Sequence, residues 1–504
     1  MKFASRIKIC GKIIGLILCL YIFICSLELM SSAFRLLGGR LIGKTNQLNV
    51  ILDNQLAGLM LGILLTILVQ SSSTSTSIVV SMVSAQIISV KSAIPIIMGS
   101  NIGTSITSTL VSFSHMNDDN NFERAFAGAV VHDIFNFLSV MVLLPIEIIF
   151  NYLEKVTQLL VKPLYNLNNS DLEIELLNKL TKPLVNSIIQ LNNSVIENLA
   201  SGIELNPNET LIKHWCKYNE KAKNSPLVKC KFLFESINLP EWAIGLILLF
   251  TSLLILCICL ICLVKILNSL FFGKMADLVK KIINSNCPGF LKYLTGFFAI
   301  IIGALLTLII QSSSVFTSTL TPLVGIGVVS IERVFPLILG SNIGTTITGI
   351  LAALSSKSSS LKYSLQIALC HLFFNLTGIL IWYPLPCLRR IPIRISKWLG
   401  RITFKYKWFS IFYILVVFFV IPIFFLLLSY AGMVVLLCFL IPLMFLVIMT
   451  SALNFMQKKF SYCLPAKMRD WKFLPEFLRS LEPYDKFMKM IFFCLKDTKN
   501  TENG

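Results

Sequence analysis

"LVQSSSTSTSIVV", residues 68–80, lies in one of the most apolar regions of the chain, yet eight of its thirteen residues are Gln, Ser or Thr. Nearly the same run returns as "IIQSSSVFTSTLT" at 309–321. Laid over each other at a constant offset of 241, 70–107 and 311–348 match at 18 of 38 positions, including "QSSS", Thr76 with Thr317, Ser77 with Ser318, Pro95 with Pro336 and all of "GSNIGT" at 99–104 and 340–345. With a two-residue slip the match continues as "HDIFNFLSV" at 132–140 against "HLFFNLTGI" at 371–379. A repeat this long and ordered is a duplicated structural unit.

Composition sets the class in which the duplication works. Of 504 residues, 55% are hydrophobic and only 14% charged, with a mean hydropathy of +0.78. Such a chain cannot hide its apolar surface in a water-soluble fold. Apolar stretches of about 20 residues, enough for a helix to cross hydrocarbon, fall near 13–33, 125–150, 242–265, 366–388, 408–430 and 432–455, with less tidy ones through 56–113 and 294–354. No period-2 alternation marks barrel strands, so the expected fold is an all-α integral membrane protein.

Charge and sequons orient it. Lys and Arg outnumber Asp and Glu 44 to 25, gathered in the first twelve residues, Lys265 to Lys292, "LRRIPIRISKWLGRITFKYKW" at 388–408 and the tail after Lys458. The positive-inside rule puts these in the cytoplasm, against anionic headgroups, and nucleic-acid binding is set aside. The polar insert 155–240 carries three glycosylation sequons, at Asn168, Asn192 and Asn208, with Cys216 and Cys230, so it is read as an extracellular loop whose two cysteines can pair. The remaining cysteines show no metal-ligand spacing. A basic start before the apolar 13–29 raises a cleaved signal peptide, but its core is long for one, and an uncleaved first span is the preferred reading.

The first copy's His-containing span runs into the sequon loop and the second copy's into the basic run at 388–408, so the copies cross in opposite senses. Inverted repeats build secondary transporters, with the site where the copies meet. The Ser-rich runs, with Gly99, Gly103, Gly340 and Gly344 and with Pro95 and Pro336 upstream, predict two discontinuous, re-entrant helical hairpins per unit. At such breaks half-helix N-termini can meet an anion, and freed oxygens a sodium ion. Polar residues in spans often serve only helix packing; their duplication at fixed spacing favours a site. No basic side chain lies in these motifs, which points to cation-coupled uptake of a small oxyanion.

Asp133 stands in a span opposite Leu372 of the second copy, an asymmetry suited to an extra sodium ligand; the alternative is a structural pairing with a neighbour such as His132. His132 and His371 read as structural histidines and Glu147 as interfacial. An anion channel would need a continuous polar pore lining, and an enzyme acting on phosphate esters a nucleophile with a partnered base. Neither pattern is visible, so the chain is read as a transporter and not an enzyme.

On "CSLELMSSAF", "VQSSSTSTSIVVSMVS", "IPIIMGSNIGTS", "RAFAGAVVHDIFN", "QSSSVFTS", "GIGVVSIERVFPLILGSNIGTTIT", "LQIALCHLFFN" and "WKFLP" at 471–475, the chain resembles the type II sodium-dependent phosphate cotransporters of animal plasma membranes, from about Leu18 to Lys489. The resemblance implies sodium-driven phosphate import by alternating access, at a plasma membrane that is apical in a polarised epithelium, with no resident cofactor. It places phosphate at Gln70, Ser71, Ser72 and Ser73 with Gln311, Ser312, Ser313 and Ser314, and sodium at Gln311, Ser312, Ser341, Thr345 and Thr348. Members with aspartate at the place of Asp133 are electrogenic and those with glycine electroneutral, which assigns this chain, by resemblance, a further sodium at Asp133. Other tetrahedral oxyanions, such as sulfate or arsenate, are the rival cargo. The departures are a shorter N-terminus, Glu123 in place of a basic residue, and a final "KNTENG" without the hydrophobic end of a PDZ ligand.

The boundaries expected are 1–55 for the N-terminus and first span, 56–154 for the first transport repeat, 155–240 for the extracellular loop and 241–293 for a linking span and cytoplasmic loop. The second repeat comes next at 294–388, then a basic loop and last spans at 389–456 and a cytoplasmic tail at 457–504.

Overall fold

The computed structural model of the chain describes residues 2–41, 54–166, 176–192, 195, 210–217, 227–235, 237, 239–271, 294–310, 312–354, 356, 358–460, 462, 465 and 468–486. In order they form α1 (Lys2–Leu41), α2 (Gln55–Val69), α3 (Ser72–Ser84), α4 (Val90–Gly103), α5 (Ile106–Ser112), α6 (Asp119–Phe150), α7 (Tyr152–Asn166) and α8 (Leu176–Ile188), then an antiparallel ribbon of β1 (Trp215–Lys217) and β2 (Leu227–Lys229). After it come α9 (Glu241–Phe271), α10 (Thr295–Ile310), α11 (Ser313–Gly325), α12 (Ile331–Leu354), α13 (Ser358–Trp382), α14 (Pro386–Lys405), α15 (Trp408–Leu415), α16 (Ile421–Ala431) and α17 (Met433–Lys459).

Among the described residues eight helical segments are long and apolar enough to cross a membrane, so the chain is an all-α membrane protein apart from the small ribbon. The span expected near 366–388 runs instead over Ser360–Trp382. Its apolar stretch stops before Pro384, and Pro386 opens a separate helix at the first helical position, where a missing N–H is harmless.

α2 and α10 are too short to cross. At 15 and 16 residues they reach roughly 22–24 Å at about 1.5 Å per residue, against a hydrocarbon core of about 30 Å. α2 ends at Gln70, whose backbone is left-handed (φ 56°), and Ser71 then turns extended (φ −155°, ψ 115°) and caps α3, its hydroxyl accepting from Thr74 N at 3.2 Å. Ser312 repeats the cap on α11 (φ −154°, ψ 112°), accepting from Val315 N at 3.2 Å. The far ends of α3 and α11 also agree. Ala85, Gln86 and Ile87 donate to Ser81, Val83 and Met82, and Ile326, Gly327 and Val328 donate to Pro322, Val324 and Leu323. Gln86 (φ 61°) and Gly327 (φ 77°), 241 residues apart, take the same left-handed place.

The glycines expected to loosen the chain instead let helices cross closely. A Cβ on Gly62 of α2 would strike the Ile96 carbonyl of α4, and one on Gly99 of α4 the Leu59 carbonyl of α2. Gly303 and Gly340 meet Leu337 and Ile300 in the same way where α10 crosses α12. Small residues at such crossings bring backbones together where lipid offers no hydrophobic drive between helices. The two "GSNIGT" runs diverge. α4 stops at Gly103, where the Ser105 hydroxyl donates back to Ile102 O (3.1 Å) and Ser108 and Thr109 donate to Ser105 O. In the second copy α12 continues through 340–345 to Leu354, although Thr346, the counterpart of Ser105, donates back to Ile343 O (2.7 Å) in the same way.

The basic run at 388–408 is largely helix α14, which buries Ile393, Ser396, Leu399 and Gly400 and packs on α6. A Cβ at Gly400 would lie 2.7 Å from the Glu123 carbonyl. Glu123 lines a cavity of about 290 Å³ with Arg124, Arg401 and the Glu332–Lys397 ion pair (2.6 Å). On the opposite side of the sequence pattern, Cys216 and Cys230 form a disulfide (Cα–Cα 5.1 Å) that ties the ribbon. The ribbon region packs Cys230, Phe232 and Phe234 with Val185 and Ile189 against Leu29, Ala33 and Leu36 of α1. Asn192 sits half-buried in this region, its backbone N–H donating to Leu211 O at 2.8 Å. Asn168 and Asn208 lie outside the described residues, as do most of the basic stretch 265–292 and the tail from 487.

Candidate transport site

Each serine turn starts a helix that packs on the opposite half of the chain. α3 lies against α12 and α13, with Thr76 Cγ2 3.0 Å from where a Cβ of Gly349 would stand. α11 lies against α6 and α5, with Val324 beside Gly128. Ser72, Ser73, Ser313 and Ser314 are all buried in the first turns of these helices, and Gln70 is exposed, its amide donating to Ile67 O and accepting from Thr107. Helix first turns present unsatisfied N–H groups and the positive end of the dipole. Among the described residues no hydrogen bond joins the two serine turns, and Gln311 lies outside them.

Ser341, Thr345 and Thr348 occupy one face of α12, at i, i+4 and i+7, and all are buried. Ser341 and Thr345 donate their protons to Ile338 O (2.7 Å) and Asn342 O (2.8 Å), which leaves oxygen lone pairs to face a cation. One residue missed in the sequence belongs with them. In the first half Thr66 of α2 bonds Ser100 (2.7 Å); the counterpart Thr307, beside Gly344 on α10, keeps a fully buried Oγ1 with no partner. An orphaned buried oxygen is costly unless something binds it.

Between the halves runs a buried network of the repeated asparagines and histidines. His132 Nε2 pairs with Asn342 Oδ1 at 2.6 Å, and His371 Nε2 with Asn101 Oδ1 at 3.2 Å. Asn136 donates to Asn101 O (2.8 Å) and accepts from Asn342 Nδ2 (2.9 Å), and Asn375 donates to Asn342 O (3.4 Å). Each "GSNIGT" asparagine is therefore gripped by the histidine of the other half. Asn101, Asn136, Asn342 and Asn375 drew no attention in the sequence, although "GSNIGT" and the "FN" after each histidine repeat them in both copies.

Asp133 is wholly buried on α6. Its neighbour His132 turns to Asn342, so the structural pairing with His132 is not formed. Instead Tyr413 of α15 donates to Asp133 Oδ2 at 3.2 Å, and the Ser105 hydroxyl lies beside the carboxylate. Glu147, near the end of α6, is buried within the protein, and its carboxylate accepts from Leu153 N (2.6 Å) and Glu154 N (3.2 Å), capping α7.

Known proteins share this pattern. The Na+/Pi-cotransporter family model matches residues 22–146 and 267–385, the two segments that carry the repeats. Sodium-dependent phosphate transport protein 2B of Homo sapiens is 47% identical over 519 aligned residues, covering 96% of this chain and 75% of that protein. The Pongo abelii protein of the same name gives the same figures. Sodium-dependent phosphate transport protein 2A of Rattus norvegicus is 48% identical, covering 94% and 76%. No solved structure matches the chain. With identity at this level running through both halves, the chain belongs to the Na+/Pi-cotransporter family, whose members are transporters and not enzymes.

Proposed function

We propose that this protein imports inorganic phosphate across the plasma membrane as a sodium symporter. The observation that carries the reading is the pair of matching serine-capped helices, each with its buried first turn set against the opposite half of the chain. The names of the relatives supply the ions. Phosphate is held by the N–H groups and hydroxyls at Ser71–Ser73 and Ser312–Ser314, together with Gln70 and Gln311, because helix N-termini favour an anion without a basic side chain. Sodium takes Gln311, Ser312, Ser341, Thr345 and Thr348, and Thr307 joins them through its orphaned oxygen. A second sodium uses the carboxylate of Asp133, which makes transport electrogenic.

The short α2 and α10, ending at the serine turns, support re-entrant hairpins in two inverted repeats. So does the placement of their far ends: the α11–α12 turn lies by basic α14 and Arg124, whereas α3 reaches α1 close to the disulfide-tied ribbon. Alternating access is achieved if the halves rock about the asparagine–histidine network while the two turns stay with the substrate. The disulfide supports an extracellular ribbon, since such bonds persist in oxidising spaces.

Two-electrode recording with labelled phosphate uptake in oocytes tests the function. The expected result is an inward current that requires sodium and phosphate together. Sodium-dependent uptake without current keeps the symporter and rejects electrogenicity. No uptake from protein shown at the surface rejects phosphate as the cargo, and uptake of labelled sulfate or arsenate that excess phosphate fails to suppress then identifies another oxyanion.

A further inference from the structure

Behind Asp133 lies a cavity of about 540 Å³ that no step of phosphate or sodium binding uses. Met60 and Ile63 of α2, Leu138 and Leu144 of α6, and Tyr413 and Val417 form much of its wall, and among the described residues Tyr413 is the only lining residue with a polar side chain. That hydroxyl is already engaged by Asp133. Water needs two to four polar partners to occupy a cavity, so this one is dry.

The location identifies what fills it. Its mouth is framed by Met141 of α6, 70% exposed, and Ile421 of α16, 37% exposed. Both belong to segments that cross the membrane, so the surface around the mouth faces hydrocarbon and the cavity continues the protein–lipid boundary inward. Where Val417 lines the cavity, the helix between α15 and α16 opens into a π-helical turn, Val416–Val420. Such turns widen a helix and recur at functional sites. We propose that an acyl chain of a bilayer phospholipid occupies this cavity and packs against the ring of Tyr413.

The Tyr413 ring is already held edge-on by Phe126 (5.8 Å between centroids) and Phe418 (6.2 Å). A chain in the cavity supports a further side and keeps the hydroxyl on the Asp133 carboxylate. This consequence rests on the sodium role proposed for Asp133; the lipid site does not.

The full chain is reconstituted in phosphatidylcholine vesicles containing a trace of phosphatidylcholine with a diazirine midway along one acyl chain, illuminated, and the labelled peptides are read by mass spectrometry. Residues 134–145 and 413–421 should label several-fold more per residue than α17, which meets lipid with 6% of its apolar window buried and serves as open-surface reference. Leu138→Trp and Val417→Trp, each filling the cavity from a half-buried place, should cut that labelling several-fold and leave α17 unchanged. Labelling no higher than on α17, or indifferent to both variants, overturns the proposal. In the same variants the sodium activation of phosphate uptake should shift; unchanged activation with lost labelling keeps the lipid site and removes only its link to Asp133.

Discussion

Asp133, Thr307 and Gln86 each hold a place that their side chain or backbone would not choose without compensation. Asp133→Gly should leave sodium-dependent phosphate uptake measurable and abolish net current; unchanged current per phosphate would reject the carboxylate as a sodium ligand. Thr307→Val removes an orphaned buried oxygen while keeping its shape. If that oxygen binds sodium, half-activation should move to markedly higher sodium, whereas a purely structural threonine would tolerate the change or gain stability. Gln86 sits exposed at φ 61° where its counterpart is Gly327, so Gln86→Gly should raise stability by about 1 kcal/mol, read as a higher melting temperature in detergent. At this scale the sequence was informative where both copies kept a residue and silent where partners came from afar. The turn at each "QSSS" run was legible from its repetition, whereas the capping by Ser71 and Ser312 was not. Tyr413 was not, because it reaches Asp133 from 280 residues away and no repeat or spacing announces it.

The helices keep to the repeat more faithfully than the expected breaks do. Spans, serine turns and the equivalence of α2–α4 with α10–α12 were visible because hydropathy and an ungapped match at 241 residues both survive in one sequence. The role of the glycines was not, since a small residue in a span is equally suited to a break or a close crossing, and only the carbonyl opposite decides. The crossings predict that Gly99→Ala and Gly340→Ala each cost roughly 1–3 kcal/mol by overpacking and reduce folded protein at the surface, while Gly11→Ala, with nothing within 4 Å, is neutral. Surface biotinylation with a thermal scan separates the outcomes; normal folding of both crossing variants would mean that α2–α4 and α10–α12 part easily. The continuous α12 was hidden for a related reason. "GSNIGT" is identical in both copies, and Ser105 and Thr346 just after it make the same bond back to the helix, so neither the motif nor that hydroxyl separates the broken first copy from the continuous α12.

Across the whole molecule, the two halves are joined by a reciprocal grip rather than by a single interface patch. A double-mutant cycle on His132→Ala with Asn342→Ala should give a coupling of roughly 0.5–3 kcal/mol, and the cycle on His371→Ala with Asn101→Ala a similar one. Coupling in only one of the pairs would show that the two grips are unequal. The same arrangement imposes an order on biosynthesis. When the ribosome has made α4, the Asn101 amide enters the bilayer with its histidine still 270 residues from synthesis, and His132 likewise waits for Asn342, 210 residues on. Until then the first half holds buried polar groups without their native partners, a state that membrane quality control can recognise. Chains truncated before residue 342 should be retained and degraded early, and supplying the missing second half as a separate polypeptide should rescue them.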